Sequence, residues 1–306
     1  MASQVNATPM EQASIPRFFY QQITYKPIEV RNVSLKDKTA IVTGANSGVG
    51  FETSRQLLSL GLSQLILAVR DEGKGQAAAA KLSVDGILES GFTIEVWYLD
   101  LSVYDSIVAF TEKAKGLARL DIVVLNAGIA PATLSFNPKT GHSECIQVNY
   151  LSTALLAILL LPILKDKRAN QPEPSRMTFV SSEAAGWTSF KEKNEFPLLQ
   201  TLDKPGNTNM IDHMCVSKLL GQFFIIELAR MVPPSIALIN SASPATVHDS
   251  GFNSEHDKTF VGAIAKMLMK LYANTAPVGA RMITDAVVNH GVETHGHFLS
   301  FQKLAP

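Results

Sequence analysis

The sequence predicts a doubly wound α/β fold built on a parallel sheet, and three observations carry that expectation. Short runs rich in Val, Ile and Leu, bounded by turn residues, alternate with helix-length segments. Hydrophobic residues make up 46% of the 306 positions, ample for a sizeable buried core. No repeat period, low-complexity tract or Pro/Gly/Ser-rich linker divides the chain, so one domain is expected and not two.

Taken in order, the first strand is the apolar run at 38–43, and a glycine-rich turn leads from it into a helix at 48–60. Further strands are expected at 65–69, 93–99, 121–125, 176–181 and 235–240, with a last one at 296–300. Helices are expected at 103–117, 142–161, 211–231 and from about 258 to 289. Strand, helix, strand repetition implies crossovers that cover both faces of the sheet. Residues 1–35 read as a partly ordered N-terminal arm before a catalytic domain at 36–306. Two segments interrupt the alternation, 187–209 and 244–258. Both are dense in Pro, Gly, Asn and charge, and both are expected to wall a substrate pocket beyond the strand ends.

Composition excludes several classes of function. Twenty-seven basic residues balance 27 acidic ones, which gives no electrostatic case for nucleic acid or an anionic membrane surface. The first 22 residues lack the basic patch and apolar run of a secretory signal. The longest uncharged apolar stretch, 151–164, is interrupted by Pro162 and is shorter than the roughly 20 residues a bilayer needs, so it reads as a buried helix and not a transmembrane segment. Cys145 and Cys215 are too few for a disulfide framework, read as buried thiols and fit a reducing, cytoplasmic setting; no metal site is expected. What remains is a small-molecule role.

The turn after the first strand reads Thr43-Gly44-Ala45-Asn46-Ser47-Gly48-Val49-Gly50. Glycines at 44, 48 and 50 permit a tight turn, close approach of a pyrophosphate and tight helix–strand packing, while free N–H groups at the helix start meet negative charge. A strand before it and a helix after it raise this trio above a bare glycine motif. About 20 residues on, the second strand ends at Val69-Arg70-Asp71. Dinucleotide folds discriminate a ribose hydroxyl from a ribose phosphate at this position, and a guanidinium matches the phosphate. Arg70 therefore favours NADP(H). The competing reading is a surface arginine paired with its neighbour Asp71.

With these features the sequence resembles the short-chain dehydrogenase/reductase family, over about residues 36–303, and within it the retinol-dehydrogenase-like branch that includes many fungal proteins. The resemblance implies a Rossmann-type domain. Asp100 and Leu101 match the family's adenine-contact pair, Asn126-Ala127-Gly128 its signature after the fourth strand, Asn149 its structural and proton-relay asparagine, and Ser182 its catalytic serine. The family's Pro-Gly turn after the sixth strand corresponds to Pro244-Ala245-Thr246-Val247-His248-Asp249, which brings Pro244 and Val247 to the cofactor and sets an acid, Asp249, where a neutral donor is usual. In the family a Tyr-x-x-x-Lys pair transfers the substrate proton. Lys218 ends Met214-Cys215-Val216-Ser217-Lys218, so the tyrosine position is Met214.

A thioether cannot exchange a proton at neutral pH. General acid catalysis contributes about two to four orders of magnitude, so ordinary carbonyl reduction is expected to be severely weakened. Asp212 and His213 lie about 200° and 100° around the helix from position 214, and Cys215 about 100° the other way. Glu183 and His248 could approach a bound substrate, whereas Tyr150 reads as packing. Three functions compete: an NADPH-dependent reductase of an apolar ketone or conjugated double bond in specialised metabolism; a redox-neutral cyclase, isomerase or dehydratase using the same pocket; and a non-catalytic NADP(H)-binding protein. Helices at 142–161 and 211–231 commonly pair subunits in the family, which implies a homodimer. If Arg70 holds the ribose phosphate, Arg70→Ala weakens NADPH binding far more than NADH binding in a fluorescence titration; equal losses would remove Arg70 from that site.

Overall fold

The computed structural model describes residues 8–84, 92–204, 209–251 and 269–305. Strands form at Thr39–Thr43 (β1), Gln64–Val69 (β2), Thr93–Tyr98 (β3), Ile122–Leu125 (β4), Ser175–Val180 (β5), Ala237–Ala242 (β6), Phe298–Ser300 (β7) and Lys303–Leu304 (β8). They make one sheet in the order β3-β2-β1-β4-β5-β6-β7-β8. Every pairing is parallel except the last, β7 with β8. The expected strands are all present within two residues at either end; the short β8 was not expected.

Period-2 geometry sends alternate residues of each strand to opposite faces, and both faces are buried. On β1, Ile41 joins a core with Ile107, Phe110, Leu156 and Leu160, from helices α5 (Tyr104–Ala114) and α7 (Thr153–Lys167). Its neighbours Ala40 and Val42 join the other core with Leu57, Leu82 and Ile283. These last come from α3 (Gly48–Ser59), α4 (Glu72–Val84) and α10 (Ala276–Val288). Burying two faces explains why the strand runs are continuously apolar.

Three local expectations need correction. Helix α4 was not foreseen, because its Ala-rich sequence has no apolar stripe. It packs closely by way of Gly75, where a Cβ would sit 2.6 Å from Val96 and 2.7 Å from Val69. Pro162 does not interrupt its helix: α7 runs through it to Lys167. The whole helical run Glu144–Asn170 is long and apolar enough by length and composition to cross a membrane, yet Leu156, Leu160, Ile163 and Leu164 are buried against the sheet. Of the helix expected from 258 to 289, residues 258–268 lie outside the described residues and the helix that follows starts at Ala276.

The N-terminal segment, expected as a partly ordered arm, carries two helices. Short α1 (Pro9–Gln12) and then α2 (Ile15–Thr24) fold onto the body, with Phe18 in a cluster that includes Met282 and Phe301. Leu35 is buried in the core that holds Ala40 and Val42.

Register between β1 and β4 depends on Asp121. Its carboxylate accepts the Thr39 N–H at 2.8 Å and grips Arg119 through Nε at 2.8 Å and a terminal nitrogen at 2.6 Å. Asp121 is buried, so losing it removes the acceptor of three N–H groups at once. Asp121→Ala is predicted to cost about 2–3 kcal/mol in urea unfolding, and a loss below about 1 kcal/mol would contradict this account of the register.

Candidate active site

The strand order reverses between β1 and β4, and there the chain leaves the carboxyl ends of neighbouring strands in opposite directions. The resulting crevice is closed at its base by side chains. Thr43 Oγ1 accepts the N–H groups of Asn126 and Ala127, each at 2.9 Å. Asn126 Nδ2 donates back to the Thr43 carbonyl at 2.8 Å. The glycine turn lies on this base. Gly44 and Gly48 adopt left-handed backbone (φ 65° and 57°), and a Cβ on Gly50 would lie 2.6 Å from the Gly44 carbonyl oxygen. Helix α3 therefore starts as close to the strand as a glycine permits, and its first residues, Gly48 to Gly50, line the crevice.

One cavity of about 720 Å³ runs along these strand ends. Residues 44, 46–50, 70, 100, 101, 126–128, 182, 214, 218, 244 and 247 all line it, so sites read from separate stretches of sequence converge. Asn149 is the one expected site residue behind the wall. It lies in a π-helical turn, Gln147–Ser152, between a short helix α6 (Glu144–Ile146) and α7. Its Oδ1 accepts the Ile129 N–H at 2.8 Å, and its Nδ2 donates to the Ile129 carbonyl at 2.9 Å and to Ser217 Oγ at 3.0 Å. Asn149 thus ties the loop after β4 to helix α9 (Met210–Met231), which carries positions 214 and 218.

Met214 and Lys218 are one turn apart on α9 and face the same cavity. Lys218 Nζ donates to the Val180 carbonyl at 3.1 Å. Burial lowers its pKa from 10.5 to about 8, partly opposed by Cys145. Ser182 Oγ accepts the Ala184 N–H at 3.1 Å, which caps the 3₁₀ turn Glu183–Trp187. The hydroxyl proton is then what Ser182 can offer to a ligand.

Around the ribose end, Arg70 is exposed and lines the cavity. Asp71 caps α4 through the Lys74 N–H at 3.0 Å and pairs with Lys74 Nζ at 3.5 Å. That capping bond lowers the Asp71 pKa. The neighbour pair that would have explained Arg70 as mere surface does not form among the described contacts, and Lys74 adds a second cation to the cavity wall.

The acids and bases weighed as alternative proton donors are engaged elsewhere. Glu183 is buried beneath the site and accepts from the hydroxyls of Ser243 and Ser300; burial raises its pKa. Asp249 is not a nicotinamide-side group: it accepts the Ala276 N–H at 2.6 Å, at the start of α10. Neither they nor His248 line the cavity. Asp212 accepts from Ser189, and the buried His213 ring meets Ser143 Oγ at 2.8 Å. Tyr150 packs with the cluster of Ile146 and Leu202, as expected of it.

Of the two segments expected as pocket walls, Trp187 and residues 244–247, 250 and 251 line the cavity, while 205–208 and 252–258 lie outside the described residues. The rest of 187–204 is fastened beside it, where Asp203 binds the Ser143 N–H and His142 Nδ1. Sequence reasoning missed Phe18, Ser135 and Glu144, which also line the cavity. Only Phe18 left a trace, an aromatic pair in an amphipathic segment. A second cavity, of about 610 Å³, shares Ser182 and includes Glu183, Gln222 and Arg230, but none of the glycine turn.

The family model for short chain dehydrogenase matches residues 38–191. A short-chain dehydrogenase of Aspergillus ruber, fogG, is 40% identical over all of this chain and 89% of its own length. The short chain dehydrogenase/reductase mfmJ of Annulohypoxylon moriforme is also 40% identical, over 95% of this chain and 83% of its own. Among solved structures, a putative short chain dehydrogenase of Escherichia coli CFT073 complexed with NADPH superposes with a TM-score of 0.66 at 18% identity, covering 89% of this chain and 100% of that one. The Pseudomonas aeruginosa RhlG/NADP complex gives 0.65 at 22% identity, covering 87% and 95%. These two establish likeness of fold. Sheet order, glycine crevice, family model and full-length relatives agree: the chain belongs to the short-chain dehydrogenase/reductase family.

Proposed function

We propose that the protein is an NADP(H)-binding enzyme of specialised metabolism that acts on an apolar small molecule by chemistry that does without the family's tyrosine. The observation that carries this is Met214, one turn before Lys218, on the wall of a cavity whose cofactor-side residues are otherwise intact. The left-handed glycines and the close Gly50 contact fit a pyrophosphate, and Arg70 with Lys74 fits a ribose 2′-phosphate, which favours NADP(H) over NAD(H). Bound there, the nicotinamide supplies hydride.

The protein's own groups do the rest. Asp100 and Leu101 would flank the adenine end, Asn126 to Gly128 and Pro244 to Val247 would line the path to the nicotinamide, and Lys218 as a cation would hold its ribose; all of them line the cavity. Asn149 holds the Ile129 segment and α9 together so that these distances persist. Ser182 donates its hydroxyl proton toward an oxyanion. With a thioether at 214, proton delivery falls to Ser182 or water, a demand that a conjugate reduction meets more easily than a ketone reduction. The redox-neutral reading, a cyclase, isomerase or dehydratase, draws support from the same observation, because a thioether lines an apolar pocket while Ser182 and Lys218 still polarise a carbonyl. Exposed Ile158 on α7 and Phe223 and Ile226 on α9 support a homodimer through those helices, and two free buried thiols support a cytoplasmic setting.

Met214→Tyr is predicted to raise NADPH-dependent reduction across a panel of apolar ketones by about two orders of magnitude, since it restores an acid beside Lys218. No gain, with NADPH still bound, would contradict a preserved reductive geometry. The lysine gives a second test. Its proton is held less tightly in the folded protein than in the unfolded chain, so between about pH 8 and 10.5 the unfolded chain carries more protons and stability from this group rises with pH. In melts without cofactor, the parent is predicted to gain on Lys218→Met across that window; a constant difference would mean that Lys218 titrates normally.

A further inference from the structure

Phe18 of α2 and Trp187, which follows the fifth strand, share a wall of the cavity although they are far apart in sequence. Their rings meet edge to face, with centroids 5.0 Å apart at 76°. Phe301 backs Phe18 at 5.9 Å, and only 4% of Phe18 is exposed, so the ring is fixed by its packing and meets the cavity with a small area beside Trp187. Helix α2 is itself anchored. The buried Gln22 side chain accepts the Thr246 N–H at 2.8 Å and donates to the carbonyls of Thr246 at 3.4 Å and Tyr272 at 3.2 Å. This ties the helix to the loop that lines the same cavity. Trp187 Nε1 is buried and has no hydrogen-bond partner among the described residues, an uncommon state for an indole N–H. Ile129, Pro131 and the Met214 thioether add apolar lining.

We infer that the N-terminal helix is a working part of the substrate site, and that Phe18 and Trp187 select a substrate carrying a planar aromatic ring. The inference rests on the reading of this cavity as the substrate site. Any apolar group gains from burial here, but an aromatic ring also gains from edge-to-face contact with the pair and from the polarisable sulfur of Met214. A saturated ring of the same outline receives only the first contribution. Each aromatic contact is worth about two- to tenfold in affinity.

Isothermal titration calorimetry of the full chain with 2-naphthaldehyde and with its saturated counterpart, decalin-2-carbaldehyde, tests this. The parent is predicted to prefer the aromatic aldehyde by about fivefold or more, and Phe18→Leu and Trp187→Leu each to reduce that preference below about twofold. Leucine keeps each position apolar, so a wall that only fills space would leave the preference unchanged. Should Phe18→Leu fail to fold, Trp187→Leu decides. Equal binding of the two aldehydes by the parent, no binding of either, or a preference that survives the substitutions overturns the inference. NADPH titrated into the same proteins separates the two readings: both variants are predicted to bind it as the parent does, and a parent that prefers the aromatic aldehyde yet binds no NADPH would refute the cofactor assignment while leaving the aromatic wall standing.

Discussion

The junction between the carboxyl ends of β1 and β4 is the constraint on which the site depends. Two parallel strands whose chains depart in opposite directions leave backbone groups without sheet partners, and buried groups of this kind must be satisfied. Thr43 and Asn126 satisfy them for each other. Because the Asn126 amide fills the space beside Gly44, position 50 has no room for a side chain. That in turn sets where α3 begins and where its N–H groups point. A second asparagine, Asn149, extends the lock from the loop after β4 to Ser217 on α9. Hydrogen bonds at both ends of the loop 126–129 thus connect the glycine-turn end of the crevice to the helix that carries Met214 and Lys218.

A contrast within that rigid frame is central to the chemistry. On the proposed reading the polar residues that would hold a cofactor and polarise an oxygen line the cavity, whereas position 214 offers sulfur in place of a titratable hydroxyl. Among the described residues, two acids that could stand in for it are engaged elsewhere: Glu183 with two buried serines and Asp249 with the start of α10. Burial lowers the Lys218 pKa to about 8, and a bound anionic ligand would oppose that shift. On the proposed reading the pocket holds and orients its ligands, with proton transfer left to Ser182 or solvent.

Most of this was legible in the sequence because most of it is local. Strand runs buried on both faces are continuously apolar, and the glycine turn, Arg70, Asn126 to Gly128 and the Met214 to Lys218 spacing each sit within one short stretch. What was not legible depends on contacts between distant parts of the chain. The wall formed by Phe18 and Trp187 and the clamp of Gln22 on Thr246 join the N-terminal segment to residues far along the chain, and no periodicity announces them. Helix α4 escaped notice because alanine serves equally on a buried or an exposed face, and its close packing depends on an absent side chain at Gly75. Pro162 misled for a related reason: a proline's usual effect as a helix breaker is outweighed here by the burial of Leu156, Leu160, Ile163 and Leu164 around it.

The most direct measurement is a fluorescence titration of the purified protein with NADPH, continued as reduced-nicotinamide absorbance during incubation with apolar carbonyl and enone substrates. The account predicts tight NADPH binding, with slow consumption that favours enones over ketones. Failure to bind NADPH would contradict it, because the crevice between β1 and β4 would then keep the shape of a cofactor site without the function.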